Sequence, residues 1–162
     1  MVTFTVNFLN LLLAALLVGA MFAACLILNP KGRDAVTYVS LQQHGIRALQ
    51  RTPGDSGAGD IKMPILGAIT TILTFVAAVL ARTERTRLTL LLVAAVLFVA
   101  AGLITRFFNQ PINAVVLTWS AQAPPDNWMR LRDTWWRWHL VRFGAGLGGL
   151  CLLILAALRS RG

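Results

Sequence analysis

The sequence predicts an all-α fold, a four-transmembrane-helix bundle with a short amphipathic helix after the first span. Three observations carry that reading. Charge is segregated: residues 2–30, 63–81, 88–105 and 143–158 hold no Asp, Glu, Lys or Arg. Composition is far from that of a soluble domain, with 57% hydrophobic and 13% charged residues where about 25% charged is usual. The run lengths suit a bilayer, because a helix rises about 1.5 Å per residue and a hydrocarbon core of roughly 30 Å needs ~20 residues. A soluble helical protein burying four such runs would need more polar surface than 15 basic and 6 acidic residues supply.

The predicted spans are 4–28, 61–81, 88–106 and 138–158, in one domain covering the whole chain. The first ends at Asn29-Pro30, since the residue before a proline avoids the α region. It is too long for the apolar part of a signal peptide and has no preceding Lys or Arg, so it is expected to be retained. Asn7 and Asn10, at i and i+3, turn one polar face toward the bundle. Residues Asp34 to Arg51 have helical composition, with apolar Val36, Val39, Leu41, Ile46 and Leu49, and read as the surface helix. Thr52 to Asp60 is rich in Gly, Pro, Asp and Ser and reads as a loop.

Pro64 fits the first turn of the second span, where a missing N–H costs little. The short basic link 82–87 makes spans two and three an antiparallel hairpin. Pro111 is expected to break or kink the third helix. Asp126, after Pro124-Pro125, is a good N-cap for a last helix that runs on into the fourth span and ends near Leu158. On it, Asp126/Arg130 and Asp133/Arg137 are favourable i, i+4 pairs. Gly144-x-x-x-Gly148 allows close helix contact, within the bundle or in a homo-oligomer. Cys25 and Cys151, in separate apolar spans, read as packing residues.

Four spans place both termini on one side and the two long segments together on the other. Ten Lys and Arg residues flank the long-segment side and five the other, which puts the long segments in the cytoplasm. The net charge of +9 sits at the ends of apolar runs, so its partner is the anionic surface of a lipid bilayer and not nucleic acid. The expected location is the inner (cell) membrane of a bacterium.

Chemistry concentrates in two clusters. In the last helix Trp135, Trp138, His139 and Arg142 recur at steps of three and four, so they share a face. Stacking rings, a cation for an oxyanion and an imidazole to move a proton suit a flat phenolic or anionic small molecule. The alternative is an interfacial aromatic belt. After the third span, Asn109 and Asn113 flank Pro111, where irregular backbone at membrane depth must be buried in protein or line a wet cavity. His44, with Gln42 and Gln43, falls on the same side as His139. No metal is required by this pattern, but the two histidines leave haem or a single metal ion open. The spans lack acidic residues, which disfavours a transporter.

Three segments together resemble the anthrone oxygenase family of small four-helix membrane proteins: Leu41-Gln-Gln-His-Gly-Ile-Arg-Ala-Leu-Gln-Arg51, Asn109-Gln-Pro-Ile-Asn113, and Trp135-Trp-Arg-Trp-His-Leu-Val-Arg142. The sequence departs from the common pattern at His44 and His139, where many members carry Asn. The resemblance implies oxidation of an anthrone to an anthraquinone by molecular oxygen. His139 and Arg142 would be catalytic, as base and anion stabiliser. Asn109, Asn113, Trp135, Trp138, His44 and Gln43 would contact substrate. The rival reading is a non-catalytic membrane module that binds lipid, quinone or haem, or an accessory subunit.

Overall fold

The computed structural model describes residues 1–49 and 63–159. The expected loop at 52–60, Arg51 and the start of the second span at Ile61 lie outside the described residues. The described residues are helical apart from turns and one isolated bridge between Ser120 and Ala123. Four helices are long and apolar enough to cross a membrane.

Helix α1 spans Val2–Ile27. The Leu28 N–H makes the last helical bond, to the Ala24 carbonyl at 2.9 Å. A turn follows in which the Asn29 side chain accepts the Lys31 N–H at 3.1 Å, and Gly32 takes φ +68°, open to it because it lacks a Cβ. Asp34 then caps α2, Ala35–Leu49, by accepting the Thr37 N–H at 2.7 Å. That bond and the Thr37 hydroxyl hold the Asp34 carboxyl below its ordinary pKa.

The inward stripe of α2 differs from the sequence expectation. Val36 is exposed, whereas Tyr38, Val39, Gln42 and Ile46 are buried. The Tyr38 ring lies 6.0 Å from that of Trp128, and burial pushes its phenol pKa up. Helix α2 packs on α5, so the two long segments meet at one end of the molecule.

Helix α3 is Met63–Leu80, with Pro64 in its first turn. Glu84 stands at the head of α4, Arg85–Ile104, and its carbonyl accepts the Leu88 N–H. Of the break or kink expected at Pro111, a break does not occur: the helix is continuous from Arg85 to Val116. A π-helical turn over Thr105–Asn109 widens the helix by one residue, and the Gln110 N–H bonds the Thr105 carbonyl five residues back. The wider turn accommodates a ring that would clash in a regular helix. Pro111 then sits in the first turn of α5, Gln110–Val116.

Helix α6 runs unbroken over Trp128–Arg159, beginning two residues after Asp126. Its 32 residues reach about 48 Å, more than a hydrocarbon core needs, and its charged first third accounts for the excess. The two expected i, i+4 ion pairs are not formed. Asp133 pairs with neighbouring Arg132 at 2.9 Å.

Helix α1 packs against α3 and α6, and α4 packs against the same two. The contacts are close because small residues make them. Ala14, Ala77, Ala78, Ala81, Ala94 and Ala156 share the main core with Leu91, Phe98 and Leu153. The glycines of α6 that bear on neighbours are Gly146, against Val18 and Met21, Gly148, against Leu97, and Gly149, against the Phe98 ring. Gly144 has open space, so the expected Gly144/Gly148 pair is only half used.

Candidate functional site

A second core cluster joins Leu28, Ile46, Ile112, Val116 and Trp135 where α2, α5 and the first half of α6 meet. Through it runs a chain of polar side chains. Gln42 Nε2 donates to Asn113 Oδ1 at 3.2 Å, and Trp135 Nε1 donates to the same oxygen at 2.8 Å. Asn109 Nδ2 donates to the Trp135 carbonyl at 3.0 Å. The Trp135 ring stacks on the His139 imidazole, 4.8 Å between centroids and 8° between planes. His139 is 0% exposed. The chain ends at Arg142, whose Nε and Nη2 lie 3.0 and 2.8 Å from His139 Nδ1 and whose Nη1 donates to Thr105 Oγ1 at 3.1 Å.

These contacts fix the chemistry of His139. A guanidinium nitrogen only donates, so Nδ1 accepts and the ring proton sits on Nε2. There it donates to the Met21 carbonyl at 3.1 Å, with Cys25 Sγ 3.3 Å away. Both ring nitrogens are therefore committed. In this arrangement the imidazole, expected as a base, accepts from the guanidinium at Nδ1 and donates from Nε2. Cys25 joins this arrangement, whereas Cys151 is exposed.

Arg142 also lines a cavity of about 450 Å³ between α1, α3 and α4. Its walls are apolar, with Leu17, Ala20, Ala24, Ala68, Ile72, Phe98 and Val99 among them. Arg142 is the one lining residue from α6 among the described residues. Thr71, Thr105, Arg106 and Gln110 are the other polar groups of the lining, which among the described residues includes no carboxylate and no imidazole. Among the described residues no carboxylate pairs with Arg142 either; the ion pairs there are Arg87–Glu84 and Arg132–Asp133. The cation is thus held by neutral partners at the edge of an apolar space. That arrangement favours an anionic or strongly dipolar oxygen in the cavity.

Of the residues singled out in the sequence, Asn109, Asn113, Trp135, His139 and Arg142 come together. Only Arg142 faces the cavity; the two asparagines tie the π turn and α5 to α6 and α2. Trp138 lies apart, stacked on Phe108 with centroids 3.7 Å apart. At about 100° per residue it falls ~60° to one side of Trp135 while His139 falls ~40° to the other. Gln43 donates to the Val116 and Trp119 carbonyls, both at 2.9 Å, and so caps α5. His44 is exposed on the outer face of α2. His44 and His139, the two histidines named for a haem or metal ion, do not come together: one is exposed and the other is buried with both nitrogens engaged. No group of three or more His, Cys, Asp or Glu suited to a metal occurs among the described residues.

The sequence reading missed Thr105, Gln110 and Thr71 in the cavity, and it named Gln42 beside His44 without giving it a part in the site. That part was detectable, since Gln42 continues the Tyr38–Ile46 stripe at helical spacing.

The family model for anthrone oxygenase matches residues 57–152. The chain belongs to the anthrone oxygenase family. The matched region holds the π turn, Asn109, Asn113, Trp135, His139 and Arg142, and all of the cavity lining except that from α1. No curated protein and no solved structure matches the chain.

Proposed function

We propose that this member of the anthrone oxygenase family is an integral membrane oxygenase that oxidises a flat anthrone-like phenol with molecular oxygen. The cavity between α1, α3 and α4 would hold the substrate, and Arg142 would stabilise its anion. The observation that carries the reading is the Arg142 guanidinium, without a carboxylate partner among the described residues, on the wall of an apolar cavity of about 450 Å³. That volume falls in the ~300–1,000 Å³ range of small-molecule sites. The lipid bilayer is the proposed surrounding of the four long apolar helices, in the cell membrane with the long segments in the cytoplasm. A homo-oligomer remains compatible with this arrangement.

The reaction balances with oxygen as the sole oxidant. An anthrone loses a proton from its central CH₂ to water, and the negative charge spreads to the carbonyl oxygen opposite, which Arg142 binds. The electron-rich anion passes one electron to O₂, giving a carbon radical and superoxide. Their combination forms the C–O bond of a hydroperoxide, which takes up a proton. Loss of the second C–H proton with cleavage of the O–O bond leaves the quinone carbonyl and releases water. One oxygen atom ends in the product and one in water. The CH₂ carbon loses four electrons and O₂ gains four.

In this scheme Arg142 is the catalytic residue. His139 positions it through Nδ1, and Thr105 does so through Oγ1. Removing a donor that stabilises a developing oxyanion typically lowers kcat ~10²–10³-fold. Purified protein in detergent, supplied with an anthrone, should consume oxygen and form the anthraquinone, and Arg142→Gln should reduce the rate by that order. Binding of the anthrone without any enhancement of oxygen uptake over buffer would leave only the binding-module reading.

A further inference from the structure

A second, smaller recess lies at the opposite end of the bundle, where the starts of α1 and α4 meet the end of α6. It is lined by Asn7, Asn10, Arg87 and Leu91, with Leu153 and Ala156 behind them, and shares no residue with the substrate cavity. Arg87 is only 5% exposed. Its Nη1 donates to Glu84 Oε1 at 3.1 Å, and Glu84 is itself half exposed. Among the described residues, Arg87 Nε and Nη2 are buried without a hydrogen-bond partner. Those two nitrogens form one edge of the guanidinium, a fork of parallel N–H groups that matches two oxygens of a phosphate or carboxylate.

The room inside decides the size of the occupant. About 10 Å³ is space for one water-sized centre. A whole organic molecule does not fit; one oxygen of a larger oxyanion does, with its body outside. The charge decides its character, because a buried cation bonds an ionised acceptor more strongly than a neutral one. The Asn7 and Asn10 carboxamides border the recess, and Asn10 is held there by the Thr74 hydroxyl at 3.1 Å. Exposed Arg82, Arg85 and Arg159 cluster at these same helix ends and add positive potential.

We infer that the Nε–Nη2 edge of Arg87 is a binding site for a phosphate-type oxyanion, presented by a lipid headgroup or as the free ion. The site is independent of the oxidation proposed above. Its test uses the full chain in detergent, with thermal unfolding as the readout. Phosphatidylglycerol, diacylglycerol with the same acyl chains and inorganic phosphate are added separately. Wild type should melt several degrees higher with phosphatidylglycerol and be unchanged by diacylglycerol, since a ligand that binds only the folded state stabilises it. A matching shift from inorganic phosphate identifies the free ion as sufficient; a shift from the lipid alone assigns the site to a headgroup. Arg87→Gln should abolish the response. Asn7→Leu, which keeps the cation and crowds the recess, should weaken it and covers the case in which Arg87→Gln does not fold. Neither variant should alter anthrone oxidation. Equal shifts in wild type and both variants, or no shift from either phosphate source, would overturn the assignment.

Discussion

Gly149 offers a measurable link between packing and the cavity. A Cβ placed there would lie 3.0, 3.1 and 3.2 Å from three carbons of the Phe98 ring. Contacts of 3.0–3.4 Å are tighter than nine in ten real Cβ contacts, so the ring must give by a few tenths of an ångström. It is buried among Leu91, Ala94 and Leu153 in the main core, and it also forms part of the cavity wall. Gly149→Ala should therefore cost about 1–3 kcal/mol, the usual range for overpacking a filled core. At ~2–4 °C per kcal/mol for a chain of this size, melting falls by several degrees. The displaced ring should also narrow the substrate cavity and raise KM. The controls lie on the same helix. At Gly146 the nearest atom is the sulfur of Met21 at 3.3 Å, an adaptable side chain, so alanine should cost less. At Gly144 nothing lies within 4 Å, and alanine should be neutral or stabilising by up to ~1 kcal/mol through helix propensity. Thermal unfolding of the three variants in one detergent gives the order. A Gly149→Ala protein as stable as Gly144→Ala would refute the close approach of α4 and α6 at this glycine.

Three further outcomes are expected. Trp135→Phe removes the donor to Asn113 Oδ1 while keeping the ring, and should lower stability by about 1–3 kcal/mol; Asn113→Ala should cost more, since it leaves both Trp135 Nε1 and Gln42 Nε2 unpaired, and their thermal unfolding should show non-additivity in the double variant. Because the Asp34 carboxyl is held below its ordinary value of 3.8, the stability it lends α2 is fully present above that pH and is lost as pH falls through the lowered value; hydrogen exchange of the α2 amides should quicken there in wild type, and Asp34→Asn should remove the dependence. His139→Gln can still accept from Arg142 and should keep most activity, whereas His139→Leu should raise KM and lower kcat by freeing the guanidinium. If both histidine variants lose activity equally and wild type alone shows an ionisation in its rate profile, the imidazole is a base after all.

The four long apolar helices were legible because they leave a coarse mark: long stretches without charge, ended by Asn29-Pro30 and by the Arg82–Arg87 link. Pro64 in a first turn was legible for a local reason, its missing N–H, whereas the Asp34 cap was not read from the sequence. Pro111 misled because the sequence records the clash of the ring and not its remedy. The extra residue of the π turn is a backbone choice, and the tie of Asn109 to the Trp135 carbonyl, which joins that turn to α6, is a long-range contact. The role of His139 was hidden in a different way. Its tautomer depends on the Met21 carbonyl, more than a hundred residues away, and on which Arg142 nitrogens point at it. The cavity left no chemical trace, since Ala20, Ala24, Gly67, Ala68 and Gly102 mark it only by being small. Trp138 and His44 fit a composition-based site and fall outside the assembled one, because heptad-like spacing resolves a helix face only to about a quarter turn.

The claim at the centre is that Arg142 stabilises a substrate anion inside the cavity. It is tested most directly by titrating a hydroxyanthraquinone, whose absorption changes when its phenol ionises, bound to the purified protein. An opposite charge within a few ångströms lowers an acid's pKa by about 1–3 units. The bound dye should ionise at least one unit below its value in empty micelles with wild-type protein, and at the micelle value with Arg142→Gln. The same ionisation pH for the dye in wild type, Arg142→Gln and empty micelles, with binding demonstrated in the first two, would contradict it.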